Sequence, residues 1–329
     1  MRITVLIIVF TAIPTISNLY ANNSKGNAII TIFSDFHSGF GFSNHDRGFG
    51  LERTYIGYKY KLSQNLEIKS VMDFGMSDDV NDNHRIGFIK NAFLKWRSKS
   101  FIISGGMIST TQFRFQETFW GKRYVMKSFQ DEYGFGNSAD LAVSVEYKVN
   151  PFLTFDGIIA NGEGYKQVQV NDGLLYGLGM TIGKYKRFVF RTYASYNESS
   201  DAMKTDKGIL YKGEVNIACF AGFKNKMISL GVEYNMMMNS NFVNSADRNG
   251  TSVYANVYLS DNIGMYGRWD YLSSKKSWNK DSDGMACITG IEIKLGKYIK
   301  ISPNIKIWYP NDNNMKNSTY FYLNTSFVL

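Results

Sequence analysis

The sequence predicts an all-β protein, a transmembrane up-and-down antiparallel β-barrel of about sixteen strands. Three observations predict it. Apolar and polar side chains alternate with period two along most of the chain. Short and long connections also alternate between the segments so defined. Beyond its first residues, the chain has no apolar run long enough for a membrane-crossing helix, which takes about twenty residues.

The N-terminus comes first. Met1–Arg2 is a short basic start, Ile3–Ile16 is apolar with one break at Pro14, and Leu19-Tyr20-Ala21 suits cleavage. That order is the order of a secretory signal peptide, so residues 1–21 are expected to be removed and residues 22–329 to form the barrel. The other reading is an N-terminal anchor, for which the run is short. Without a cysteine near the cut, a lipoprotein is not expected.

Within the barrel region, Tyr55–Leu62 sets Ile56, Tyr58, Tyr60 and Leu62 against Lys59 and Lys61. Leu141, Val143, Val145 and Tyr147 oppose Ser144, Glu146 and Lys148; Ile228, Leu230, Val232, Tyr234 and Met236 oppose Ser229, Glu233 and Asn235. Ile263, Met265, Trp269 and Tyr271 oppose Tyr266, Arg268 and Asp270. Such alternation marks half-buried strands. Segments begin near residues 28, 50, 65, 86, 101, 140, 151, 173, 187, 209, 227, 251, 263, 284, 299 and 318. The first, fourth and fifth are poorly phased. With 24 Phe, 22 Tyr, 30 Gly and only 4 Pro, the composition favours strands over helices. A mean hydropathy of -0.23 does not exclude a membrane barrel, whose walls average apolar and polar faces.

Joins such as Ser63-Gln64, Lys224–Lys226 and Gly296–Tyr298 are tight, whereas Phe42–Phe49, Asn161–Asp172 and Asn239–Gly250 are long and polar. Greek-key sandwiches mix loop lengths. An outer-membrane barrel segregates them, with short turns at one rim and long loops at the other. Backbone groups in hydrocarbon must be bonded within the sheet, so the sheet must close. The last segment, Ser318–Leu329, is expected to meet the first.

About sixteen strands imply an aqueous lumen. By phase, Arg53, Lys59, Lys61, Lys69, Arg191, Lys212, Arg268, Lys294, Lys300 and Lys306 face it, as do Glu67, Asp73, Asp156, Glu214, Glu233, Asp270 and Glu292. Arg53, Lys59, Arg191, Arg268, Lys294 and Lys306 are the candidate lumen-lining residues. Residues 109–138 show neither period and form the third long connection. Too apolar for open water, this loop is expected to fold into the lumen, cover its aromatics (Phe113, Phe115, Phe119, Trp120, Tyr124, Phe129) on the wall, and narrow the passage with Arg114, Glu117, Lys122, Arg123, Lys127, Asp131 and Glu132. The other reading packs it against a neighbouring subunit.

The run FWGKRYVMKSFQDEYGFGNSADLAVSVEYK at 119–148, followed by NGEGY at 161–165, resembles the porin family common in Bacteroidota outer membranes, akin to phosphate-selective porins. The resemblance implies a passive channel, monomeric or homotrimeric, without cofactor. Two departures stand out: the loop carries only Arg114 and Arg123 with two lysines where an arginine ladder is expected, and the chain closes on Leu329 rather than an aromatic.

Net charge is +9, and removing Arg2 leaves 9 − 1 = +8. Nucleic-acid binding is not expected in an exported chain without a binding signature; a cation-rich lumen instead favours anions. His37, His45 and His84 lack ligand spacing, no GxSxG is present, and Cys219 and Cys287 point outward from non-neighbouring strands. Neither an enzyme, a metal site nor a disulfide is expected. The function expected is an outer-membrane porin passing small hydrophilic solutes with a weak preference for anions, phosphate among them. The alternatives are a non-conducting structural or binding barrel and a soluble periplasmic β-protein.

Overall fold

A computed structural model describes residues 25–76, 85–167, 169, 172–184, 187–199 and 211–329. The signal peptide reading and His84 lie outside these residues. Sixteen strands form one closed antiparallel barrel in which sequence neighbours are spatial neighbours throughout. They are β1 (Gly26–Phe40), β2 (Arg47–Lys61), β3 (Leu66–Met76), β4 (Arg85–Arg97), β5 (Phe101–Ser109), β6 (Ala139–Asn150), β7 (Leu153–Ala160) and β8 (Leu175–Gly183). Then follow β9 (Phe188–Asn197), β10 (Glu214–Lys224), β11 (Ile228–Met238), β12 (Arg248–Tyr258), β13 (Ile263–Ser274), β14 (Gly284–Leu295), β15 (Ile299–Pro310) and β16 (Ser318–Val328). Closure is direct. β16 pairs with β1 from Thr31↔Val328 to Phe40↔Thr319, and the Leu329 amide donates to the Ile30 carbonyl at 2.9 Å.

The alternation sorts side chains as the sequence predicts. Ile56, Tyr58, Val143, Leu230, Val232, Tyr234 and Met265 are exposed on the outer face, while Ser229, Glu233, Asn235 and Asp270 are buried on the inner one. A wall that is apolar outside and polar inside, with no free edge, is what hydrocarbon demands of a β-structure. Cys219 and Cys287 are free thiols on β10 and β14.

Two register breaks have a physical cause, and one of them accounts for the poorly phased fourth segment. Between β1 and β2 the register runs Phe33↔Arg53 and then Ser34↔Leu51, which leaves Glu52 as the extra residue of a bulge. Between β3 and β4 it runs Val71↔Asn91 and then Met72↔Ile89, which leaves Lys90 over. A bulge flips the parity of the strand beyond it and re-aims the extra side chain. Glu52 thus lines the interior beside Arg53, and Lys90 beside Asn91.

The third long connection, residues 110–138, is folded into the barrel. It carries two short helices, α1 (Arg114–Trp120), ended by Gly121 at φ 63°, and α2 (Phe129–Glu132). Phe119, Trp120, Tyr124 and Val125 are buried against Val189, Phe220, Tyr254, Tyr266 and Ile288 of the wall, and Phe129 and Phe135 against Met237 and Leu272. Gly250 makes room for this seat, since a Cβ there would stand 2.3 Å from the Phe129 ring. The interior is therefore not water throughout. On the side of β9–β14 the loop and the wall form a packed core, and the open space lies towards β1–β6, β15 and β16.

Candidate functional site

The loop has little regular structure, so its backbone carbonyls need donors from elsewhere. The wall supplies them. Arg191 donates to the carbonyls of Thr111 (2.8 Å) and Gln112 (3.2 Å), Arg268 to that of Lys127 (2.6 Å), and Lys306 to that of Val125 (2.6 Å). Arg248 donates to those of Tyr133 and Gly134, Asn256 to those of Phe119 and Trp120, Ser229 to that of Phe119, and Asn216 to that of Phe135. Two of the anchoring arginines are themselves positioned by a carboxylate. Arg191 makes a two-pronged pair with Asp156 at 2.6 and 2.9 Å, reaching across β8 at Gly179, where a Cβ would lie 2.5 Å from its guanidinium. Arg268 does the same with Asp270 at 2.7 and 2.8 Å, and its guanidinium stands 5.1 Å over the Trp120 ring.

This corrects two expectations. Arg191 and Arg268 sit on the inner face, yet both are buried and hold the loop, so they do not line the passage. The phase that aims them inward is a property of the strand; whether they meet water depends on the loop that covers them. Lys122 is corrected likewise: it is buried behind the loop, 3.2 Å from Glu292, with its ammonium 5.5 Å from the Tyr266 ring. Burial holds its pKa below that of an ordinary lysine, an effect the Glu292 carboxylate partly offsets. Lys212 precedes β10 instead of lying within it, its amide donating to the Phe242 carbonyl.

Of the other predicted site residues, all but Asp131 and Lys294 border open space. Two chambers meet at the loop. A cavity of about 790 Å³ on the short-turn side is lined by Lys59, Lys69, Lys90, Lys95, Arg114 and Arg123 together with Glu67, Glu117 and Glu146. A smaller one of about 260 Å³ on the long-loop side is bordered by Asp35, Glu52, Arg53, Arg123, Lys127, Glu132, Lys306 and the Tyr322 ring. Arg123 borders both. It pairs with Asp131 at 2.5 Å and Glu117 at 3.3 Å; burial works against its charge, but the two carboxylates outweigh this and hold its pKa well above the usual arginine value. Arg114 makes a bidentate pair with Glu146 at 2.7 and 2.9 Å. Across the passage Arg53 pairs with Asp73 at 2.7 Å, and Asp73 also accepts from the Tyr165 hydroxyl at 2.5 Å. Lys294 lies farther towards the short turns, its ammonium donating to the Asp261 carbonyl at 3.0 Å.

Sequence reasoning missed Lys90, which sits 4.5 Å from the Tyr165 ring and 5.3 Å from the Tyr55 ring and donates to Ser138 at 3.1 Å. It missed Arg248 and Glu52 as well. The broken phase of the fourth segment is the one available signal for Lys90. Nothing local distinguishes Arg248.

A closed barrel with an apolar outer face and a loop narrowing its lumen defines the class: a membrane-spanning barrel of the outer-membrane type. No described protein family matches the sequence, and no curated protein does. Solved structures do match. The high-pH structure of Pseudomonas putida OprB aligns with a TM-score of 0.73 at 9% identity, covering 93% of this chain and 94% of that one. Salmonella typhi OmpF in complex with daunomycin aligns at 0.71 with 10% identity, covering 94% and 99%. An anion-selective porin from Comamonas acidovorans aligns at 0.69 with 10% identity, covering 93% and 100%. At such identities the likeness is one of fold. The fold is that of bacterial outer-membrane barrels, and the apolar outer face places the chain in that membrane.

Proposed function

We propose that this protein is a passive diffusion channel for small hydrophilic solutes with a weak preference for anions. The observation that carries the reading is the pair of chambers meeting at Arg123 on the side of the interior that the loop leaves open. The larger chamber supports the anion preference: it sets six cations, Lys59, Lys69, Lys90, Lys95, Arg114 and Arg123, against three carboxylates, Glu67, Glu117 and Glu146. Low-dielectric walls focus such a field, and charged side chains around a pore filter small ions. Phosphate is one anion to be tested: residues 119–148 and 161–165 resemble phosphate-selective porins, but the loop lacks their arginine ladder, so the resemblance does not carry phosphate specificity over.

Purified protein in a planar bilayer is expected to give single-channel steps and, under a potassium chloride gradient, a reversal potential on the chloride side. A potassium-side reversal potential would remove the anion preference. Silence at every voltage would favour a non-conducting structural barrel. Liposome swelling in phosphate, chloride and sugars then ranks the solutes, with phosphate entry no faster than that of neutral sugars of equal size counting against phosphate.

Arg123→Ala gives a residue-level check. It leaves Glu117 and Asp131 without their shared cation at the meeting point of the chambers. The reversal potential should move towards potassium. An unchanged value would mean that the passage does not run past this residue.

A further inference from the structure

The fixed charge differs in sign along the axis of the passage. On the short-turn side Lys59 and Lys69 stand opposite each other on β2 and β3, with Lys95 next along on β4. Crediting Arg123, Lys90 and Glu117 to the junction, that chamber holds Lys59, Lys69, Lys95 and Arg114 against Glu67 and Glu146, or 4 − 2 = +2. At the junction Arg123 and Lys90, whose ammonium reaches Ser138 and Tyr165, stand against Glu117 and Asp131, or 2 − 2 = 0. On the long-loop side Arg53 is cancelled by Asp73, leaving Lys127 and Lys306 against Asp35, Glu52 and Glu132, or 2 − 3 = −1. Among these residues, a basic chamber is thus in series with a neutral junction and an acidic chamber.

We infer that this arrangement makes the channel a rectifier of ion current, passing more when the long-loop side is positive. The inference rests on the channel reading and adds a direction to it. An acidic segment concentrates cations and a basic one concentrates anions, because walls of low dielectric focus the field of their charges onto the lumen. When the long-loop side is positive, cations advance through the acidic segment and anions through the basic one, and both accumulate where the segments meet. Reversing the voltage draws both away and depletes the junction. Conductance is therefore unequal at the two polarities. Salt removes the effect: the Debye length is about 10 Å at 0.1 M and about 3 Å at 1 M, so at high salt lumen ions no longer sense the wall charge.

The test is the single-channel current at equal and opposite voltages in symmetric potassium chloride. Streptavidin on a biotinylated Asn313→Cys, in a Cys219→Ser/Cys287→Ser background, marks the long-loop side. At 0.1 M the currents should differ on the order of twofold, larger with the marked side positive, and become equal at 1 M. Two variants, each checked for the heat-dependent gel mobility of a closed barrel, separate fixed charge from pore shape. Lys59→Gln/Lys69→Gln/Lys95→Gln and Glu52→Gln/Glu132→Gln should each bring the ratio close to one, with reversal potentials moving in opposite directions, towards potassium in the first and towards chloride in the second. Equal currents in the unsubstituted protein at 0.1 M would overturn the inference while leaving the channel standing. So would rectification that survives in both variants, or a larger current with the marked side negative. Absence of any steps would instead remove the channel reading, and this inference with it.

Discussion

Trp120→Ala should release the third loop. Trp120 is fully buried at the end of α1, with its indole N–H donating to the Met126 carbonyl at 2.8 Å and the rings of Tyr254 and Tyr266 set edgewise 5.5 and 5.7 Å away. Arg268 caps its face at 5.1 Å. Truncating a large buried aromatic to alanine costs about 3–5 kcal/mol, from lost transfer energy and from the cavity left behind. The barrel's backbone ladder does not depend on this side chain, so the loss should fall mainly on the docking of the loop. Trypsin, which finds Lys122 and Arg123 sheltered in the folded loop, should then cut there while the barrel stays intact. Single-channel current should rise and become noisy as the loop leaves the lumen. Unchanged resistance to trypsin together with quiet, unchanged conductance would show that the aromatic seat does not hold the loop.

Arg191→Ala should be the more damaging single change in the wall. It leaves Asp156 buried without its partner, and the Thr111 and Gln112 carbonyls without a donor. Breaking a buried ion pair from one side typically costs about 3–5 kcal/mol, because the remaining charge stays desolvated. Replacing both members, Asp156→Leu/Arg191→Met, removes that orphan charge. The double variant should regain part of the loss but remain less stable by about 1–3 kcal/mol per carbonyl left without a donor. Urea unfolding of the refolded barrel in detergent micelles checks the order: unsubstituted protein, then the double variant, then Arg191→Ala. If Arg191→Ala were as stable as the unsubstituted protein, the pair would be incidental to how the loop is held.

The strands were legible because alternation is local. A residue's face follows from its neighbours two positions away, so the sixteen predicted starts fall within a few residues of the observed strands. The third loop was legible as an interruption of both periods. Its aromatics required cover, and the inner wall is the cover it finds. The bulges were not legible in the same way. Glu52 and Lys90 become extra residues only relative to a partner strand, and the parity flip beyond Lys90 shows in the sequence merely as a blurred phase.

By itself the sequence determined the wall outside the bulges: which side chains meet lipid, which point inward, where turns and loops fall, and which loop is too apolar to stay outside. The tertiary structure alone decided which inward charges meet water. Arg53 and Lys59 border open space, whereas Arg191 and Arg268, indistinguishable from them by phase, are buried under the loop. The physical reason is range. Strand alternation is set within a few residues, but the contacts that cover or expose an inward charge, such as Lys306 with the Val125 carbonyl 181 positions away, exist only once the sheet has closed and the loop has taken its seat.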